Sequence, residues 1–188
     1  FIKRGWINRN CILLNGKAHF FSIPLKNLSQ NKKINETHVA YDGHWLNGFF
    51  KTLEHAYKKA PFYKDIILLV KQVFKPGILN INELAAESVK KVSEYLGLGT
   101  EYIFSSQLSY NSDKKGSEKI IKICKLMNAT IYINPINGME LYDKKDFENA
   151  GVKLFFIKMG NVNYFQFENV KFAPNLSIID VLMFNSKD

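Results

Sequence analysis

Residues 116–157 read GSEKIIKICKLMNATIYINPINGMELYDKKDFENAGVKLFFI, and this stretch decides the fold class. Gly116–Asn128 places Ile120, Ile121, Cys124 and Met127 on the apolar side of a helix. Thr130–Ile133 is a short strand, Lys144–Ala150 a short helix closed by Gly151, and Val152–Ile157 another strand. Before it, Glu101–Phe104 reads as a strand; after it come Tyr164–Phe167 as a further strand and Asn175–Phe184 as a closing helix. Strands alternating with helices over short links imply a parallel α/β sheet. The expectation is a single α/β domain spanning residues 1–188, with a mostly parallel central sheet and helices on both faces. In such sheets ligands bind at the carboxyl ends of the strands.

Towards the amino end the pattern changes. Cys11–Asn15 and Ala18–Pro24 are short strands joined by Asn15-Gly16, a dipeptide that tolerates positive φ at both turn positions and so marks an N-terminal β-hairpin. Residues 25–38 are polar and aperiodic, a loop. Trp45, Phe49, Leu53, Ala56 and Ala60 recur at helical spacing until Pro61 ends or kinks the helix. A second helix covers Phe62–Phe74, and a third is capped by Asn80 or Asn82 and runs to Tyr95, with Gly97 as terminator.

The chain has 188 residues, enough for one well-buried core, and no apolar run approaches the ~18–20 residues of a membrane span. Its net charge of +9 is unevenly spread: residues 1–75 hold 13 Lys/Arg against four acids, and 76–188 hold 13 of each. That asymmetry points to an anionic partner for the first segment, or else to a solvated basic face. Cys11 and Cys124 form neither a disulfide framework nor a metal motif, and both read as small core residues in a reduced, cytoplasmic chain. The four histidines lack metal-ligand spacing, and no dinucleotide, P-loop or nucleophile-elbow motif occurs, so no metal and no cofactor is expected. The chain opens at Phe1 in mid-pattern, from which we expect a missing N-terminal piece.

Three polar constellations remain. Lys3-Arg4-Gly5-Trp6-Ile7-Asn8-Arg9-Asn10 concentrates guanidinium, ammonium and carboxamide groups beside a stacking ring, the equipment of a phosphate or nucleotide site. Lys51, His55 and Lys59 are spaced by four, so they would share a helical face with Tyr57 nearby. An imidazole between two ammonium groups is disfavoured in its charged form and could serve as a base beside an anionic substrate. The third is Tyr164 and Gln166 with Pro174-Asn175-Leu176-Ser177-Ile178-Ile179-Asp180. An Asp among Ile, Val and Leu requires a partner when buried, for which Arg9 and Asn10 are the best candidates. Arg4, Arg9 and Lys59 are expected to converge on one anion-accepting cleft.

Together with Trp45 through Tyr57-Lys58-Lys59-Ala60-Pro61, and with Ile123-Cys124-Lys125 followed by Tyr132, these constellations resemble the WbqC-like family of bacterial proteins. The resemblance spans nearly the whole chain in the family's order. It implies a setting in surface-polysaccharide and lipopolysaccharide synthesis, and a reaction on an activated sugar, with acyl or aminoacyl transfer to an amino-sugar. Family members usually open with a strand and a Gln-Pro…Pro…Gly-Tyr-Phe segment that this chain lacks, and Asn134-Pro135 stands where relatives often carry Ser-Gly.

The resulting expectation is a transferase of O-antigen synthesis with an anionic small-molecule partner, a nucleotide-sugar or acyl donor. Its chemistry falls to His55, Tyr57, Lys59 and Asp180. Binding falls to Lys3, Arg4, Trp6, Asn8, Arg9, Asn10, Lys51, Tyr164, Gln166 and Ser177. The alternatives are a non-catalytic module of a glycan-assembly complex and a nucleic-acid binder. The last is ranked low, because many aromatics read as core and no recognised nucleic-acid motif occurs, so no nucleic-acid partner is expected.

Overall fold

A computed structural model describes residue 2, residues 5–109 and residues 115–187. The chain divides into two compact units, Phe1–Thr100 with Asn163–Asp188, and Glu101–Val162.

In the first unit the hairpin forms as its turn dictates. β1 (Arg9–Leu14) and β2 (Lys17–Ser22) pair antiparallel from Leu14↔Lys17 to Arg9↔Ser22. Asn15 and Gly16 sit at φ 51° and 71°, the left-handed values that a two-residue hairpin turn needs. α1 (Gly43–Tyr57) starts where the Asp42 carboxylate accepts from the Trp45 N–H at 2.8 Å. It stops four residues before Pro61, since the residue preceding proline is pushed out of helical backbone. α2 (Tyr63–Val73) and α3 (Ile81–Tyr95) follow, and Gly97 closes α3 at φ 70°.

The apolar faces of α1 and α2 meet β1. Ile12, Leu13, Leu53, Tyr57 and Ile66 are fully enclosed there, and Trp45 stacks on Phe49 with ring centroids 5.2 Å apart. The final helix of this unit, Ile178–Phe184, begins later than the expected Asn175. Asn175 has φ 59°, outside the helical region, and Ser177 is the cap: its Oγ accepts from the Ile179 N–H at 3.3 Å. The Ser177 N–H donates to the Cys11 carbonyl at 2.7 Å, which ties the start of this helix to β1.

The second unit contains α4 (Gly116–Leu126), β3 (Ile131–Pro135), a 3-10 turn, α5 (Lys144–Asn149) and β4 (Lys153–Ile157). The final helix is therefore α6. β3 and β4 pair in parallel, from Ile131↔Lys153 to Pro135↔Ile157. Phe147 of α5 stacks on Tyr132 of β3, 5.6 Å between centroids, above Cys124, Val152 and Leu154.

The mostly parallel central sheet is not what the described residues form. Parallel pairing is confined to β3 and β4, and the other sheet is the antiparallel hairpin. Residues 101–104 and 164–167 have the apolar content of strands but no ladder partner. Residues 102–104 are exposed, and residues 164 and 166 are held by side-chain bonds instead. Helices cover only one face of the β3–β4 pair: Tyr132, Leu154 and Phe156 face the core, and Ile131, Ile133, Phe155 and Ile157 are exposed. No helix among the described residues is long and apolar enough to cross a membrane.

Candidate functional site

The site lies in the first unit and starts from one carboxylate. Asp180, in the first turn of α6, has no exposed surface. It meets the requirement for a partner threefold. Tyr57 Oη donates to its Oδ1 at 2.6 Å; Tyr164 Oη and Gln166 Nε2 donate to its Oδ2 at 2.6 and 2.8 Å. Tyr57 Oη in turn accepts from the Leu13 N–H of β1 at 2.8 Å. Three donors satisfy a buried carboxylate without a cation.

Burial is the main influence that raises the Tyr57 phenol, and the Asp180 charge and hydrogen bond raise it further. Tyr164 is raised for the same reasons, burial first. Both phenols therefore stay protonated and act as donors at neutral pH. The bond from Asp180 to an outside carboxamide is as expected, but its giver is Gln166. Asn10 is occupied with its own neighbour, Oδ1 accepting from the Cys11 N–H at 2.8 Å. Arg9 lies over the rings of Phe20 and Trp6, at 4.4 and 5.4 Å from their centroids. Guanidinium faces stack well on rings because they are weakly hydrated.

Gln166 also shapes what surrounds it. Its Oε1 accepts from the Ala173 N–H at 3.0 Å, and its Nε2 donates to the Ala173 carbonyl at 3.3 Å. This closes the irregular segment 166–173 into a loop whose ends meet. The loop is one wall of a cleft of about 770 Å³. The end of α1 and the turn after it supply His55, Lys58 and Lys59, and the loop side supplies Phe165, Gln166 and Glu168. The cleft is an open depression rather than an enclosed cavity. Phe165, which lines the same cleft as Lys58 and Lys59, is 72% exposed. His55 Nε2 is 3.3 Å from Asn15 Oδ1, which ties the end of α1 to the hairpin turn.

The expected site residues thus separate. His55, Lys59 and Gln166 line the cleft; Tyr57, Asp180, Tyr164 and Gln166 form the hydrogen-bonded hub. Lys59 does not share a helical face with Lys51 and His55, because α1 has ended at Tyr57. Lys51 is exposed on α1 and does not line the cleft. Ser177 is buried as a helix cap. Trp6, 65% exposed, Asn8, Arg9 and Asn10 stay off the cleft, and Asn8 Nδ2 is spent on the Ile23 carbonyl at 3.0 Å. Arg9 and Lys59 therefore do not converge on this cleft; Lys3 and Arg4 lie outside the described residues. Lys58, Asn15, Phe165 and Glu168 were not among the expected residues. Lys58 adjoins Lys59 in sequence, Asn15 reaches the cleft from the hairpin turn, and Phe165 and Glu168 reach it from the irregular segment that Gln166 closes on Ala173.

Burial raises the thiols of Cys11 and Cys124, so neither is an activated nucleophile. Among the described residues no group of three or more His, Cys, Asp or Glu side chains could hold a metal ion. The sequence model of the WbqC-like protein family matches residues 1–188. No curated protein and no solved structure matches the chain.

Proposed function

For a chain that belongs to the WbqC-like protein family, we propose an enzyme of bacterial surface-glycan synthesis that binds a nucleotide-linked amino-sugar and transfers an acyl or aminoacyl group to it. The observation that carries this reading is the cleft itself, which His55, Lys58 and Lys59 line together with the largely exposed ring of Phe165. Ammonium groups hold a diphosphate, and an exposed ring stacks a base. In this reading the neutral sugar amine attacks the carbonyl carbon of a thioester or other activated acyl donor, the bond from that carbon to the donor's carrier breaks and the carrier leaves with its electron pair, and His55 takes the proton that the amine gives up. Tyr57 and Asp180 are positioning residues: both are enclosed, and they fix the loop that carries Phe165 and Gln166. Residues 1–188 act as one domain in this reading, assembled from the two units, in the cytoplasm where activated sugars are made.

Isothermal titration and thermal unfolding with UDP- and dTDP-linked sugars test the reading. A ligand at 100 times its dissociation constant stabilises by about 2.7 kcal/mol. Such a shift, lost with inorganic pyrophosphate or free sugar alone, supports it; no shift from any nucleotide sugar overturns it. A non-catalytic binding module is the second reading, favoured by the enclosure of Tyr57 and Asp180. Binding of the sugar without turnover across acyl and aminoacyl donors would select it.

A further inference from the structure

The cleft carries one carboxylate among its cations. Glu168 lines the same space as Lys58, Lys59 and His55, yet it makes no ion pair with any of them, and none of the ion pairs among the described residues involves these four. Solvated surface charges of opposite sign that can reach one another commonly pair, at modest gain. Here Glu168 comes from the loop and the cations from the end of α1 and the following turn, and no ion pair joins the two signs in a space lined also by Phe165, Phe167 and Phe184. Apolar walls lower the local dielectric and strengthen both fields. A purely anionic ligand would leave Glu168 as a repulsive charge, and a neutral one would use neither sign. The complement of this lining is a ligand with an anionic group at one end and a cationic group at the other.

We propose that Glu168 is a specificity-determining residue that pairs with the amino group of the sugar as it binds in its ammonium form, from which a proton must leave before the amine can attack, while Lys58 and Lys59 hold the diphosphate; the inference rests on the nucleotide-sugar reading of this cleft. Glu168 lies outside the Asp180 hub and is exposed, so its substitution leaves the fold intact.

The test compares UDP-glucosamine with UDP-glucose, which differ by an ammonium in place of a hydroxyl. Isothermal titration at pH 6.5, with the amine protonated, is expected to show about fivefold tighter binding of UDP-glucosamine, the scale of a partly screened charge pair. Glu168→Gln should bring that ratio to about one, and removing an anion from the cleft should also tighten UDP-glucose slightly. Equal affinities in the unaltered protein, or a preference that survives Glu168→Gln, overturn the assignment of Glu168 and leave the diphosphate reading standing. Absence of binding by either compound overturns both.

Discussion

Two polar clusters occupy the first unit, and they are built in opposite ways. Around Asp180 every group is answered, and Asp180, Tyr57 and Gln166 are buried: a carboxylate, two phenols and a carboxamide close a network that reaches β1, α1, α6 and the loop 166–173. Around Lys58, Lys59 and Glu168 the charges are open and make no ion pair with one another. The first cluster is chemically the more conspicuous, because a buried Asp beside two tyrosines has the look of a catalytic centre. Its bonds are structural in what they visibly join: each oxygen of Asp180 is bonded, and Tyr57 Oη both donates and accepts. The charges of the second cluster hold no ion pair among the described residues. Gln166 joins the two, since it lines the cleft with the same side chain that bonds Asp180.

The comparison breaks first at Asp180. Asp180→Ala would strand the buried Tyr57 donor and remove the partner of Tyr164 and Gln166, and should lower stability by about 3–5 kcal/mol. Urea unfolding measures this directly. A loss below about 1 kcal/mol would mean that the hub does not hold the unit together. Asp180→Asn keeps the shape and one acceptor, and should fall between the unaltered protein and Asp180→Ala.

Alkaline pH probes the same network more gently. A phenol raised by burial and by Asp180 keeps its proton in the folded state above the ordinary value near 10. The stabilisation is then fully present below about pH 10, and is lost as pH rises from there through the folded-state value. Tyr164→Phe removes one of the two phenols and one donor to Asp180, so it should cost about 1–2 kcal/mol at pH 7. It should also make stability fall less steeply above pH 10, by up to about 1.4 kcal/mol per pH unit. Parallel slopes for the two proteins would show that Tyr164 does not couple folding to that titration.

How much of this the sequence discloses depends on how local the cause is. Asn15-Gly16 sets its own turn, and Asp42, Pro61 and Gly97 act within a few residues of the helix ends they define. The sheet is not local. Glu101–Phe104 and Tyr164–Phe167 have strand composition, but a strand exists only with a partner, and nothing in either stretch supplies one. The hub shows the same division. The enclosure of Asp180 is legible in Leu-Ser-Ile-Ile-Asp-Val-Leu, residues 176–182, whereas its three donors come from α1 and from an irregular segment with no periodicity to read. The polar run 6–10 misleads for a related reason. Its Asn8 and Asn10 are absorbed by nearby backbone, and Arg9 by aromatic rings, all of which is invisible in composition.

Gly16 couples the hairpin to the cleft on a smaller scale. At φ 71° an alanine would sit in the left-handed region, and its Cβ would stand 3.4 Å from Val170 Cγ1 on the loop that walls the cleft. The backbone penalty is about 1–2 kcal/mol. Gly16→Ala should therefore lower the unfolding midpoint modestly and weaken nucleotide-sugar binding through the shifted wall. A variant that lost stability but bound as before would show that the wall does not depend on the turn.

The open cluster should show the smallest effect on stability and the clearest effect on binding. Lys58 and Lys59 are exposed and form no ion pair among the described residues, so the double variant Lys58→Ala/Lys59→Ala should change unfolding free energy by no more than about 0.5 kcal/mol. On the proposed nucleotide-sugar reading, removing two ammonium groups from the cleft should still weaken binding of a UDP-sugar about tenfold, equivalent to about 1.4 kcal/mol. That loss should shrink at high salt, because screening already removes part of what the lysines provide. The pattern is the reverse of that for Asp180→Ala, where stability falls first and any loss of binding follows from it. Isothermal titration at two ionic strengths, beside a urea curve for each variant, separates the two. A double variant that unfolds several kcal/mol more easily would move the lysines into the structural cluster and dissolve the distinction between a closed hub and an open cleft.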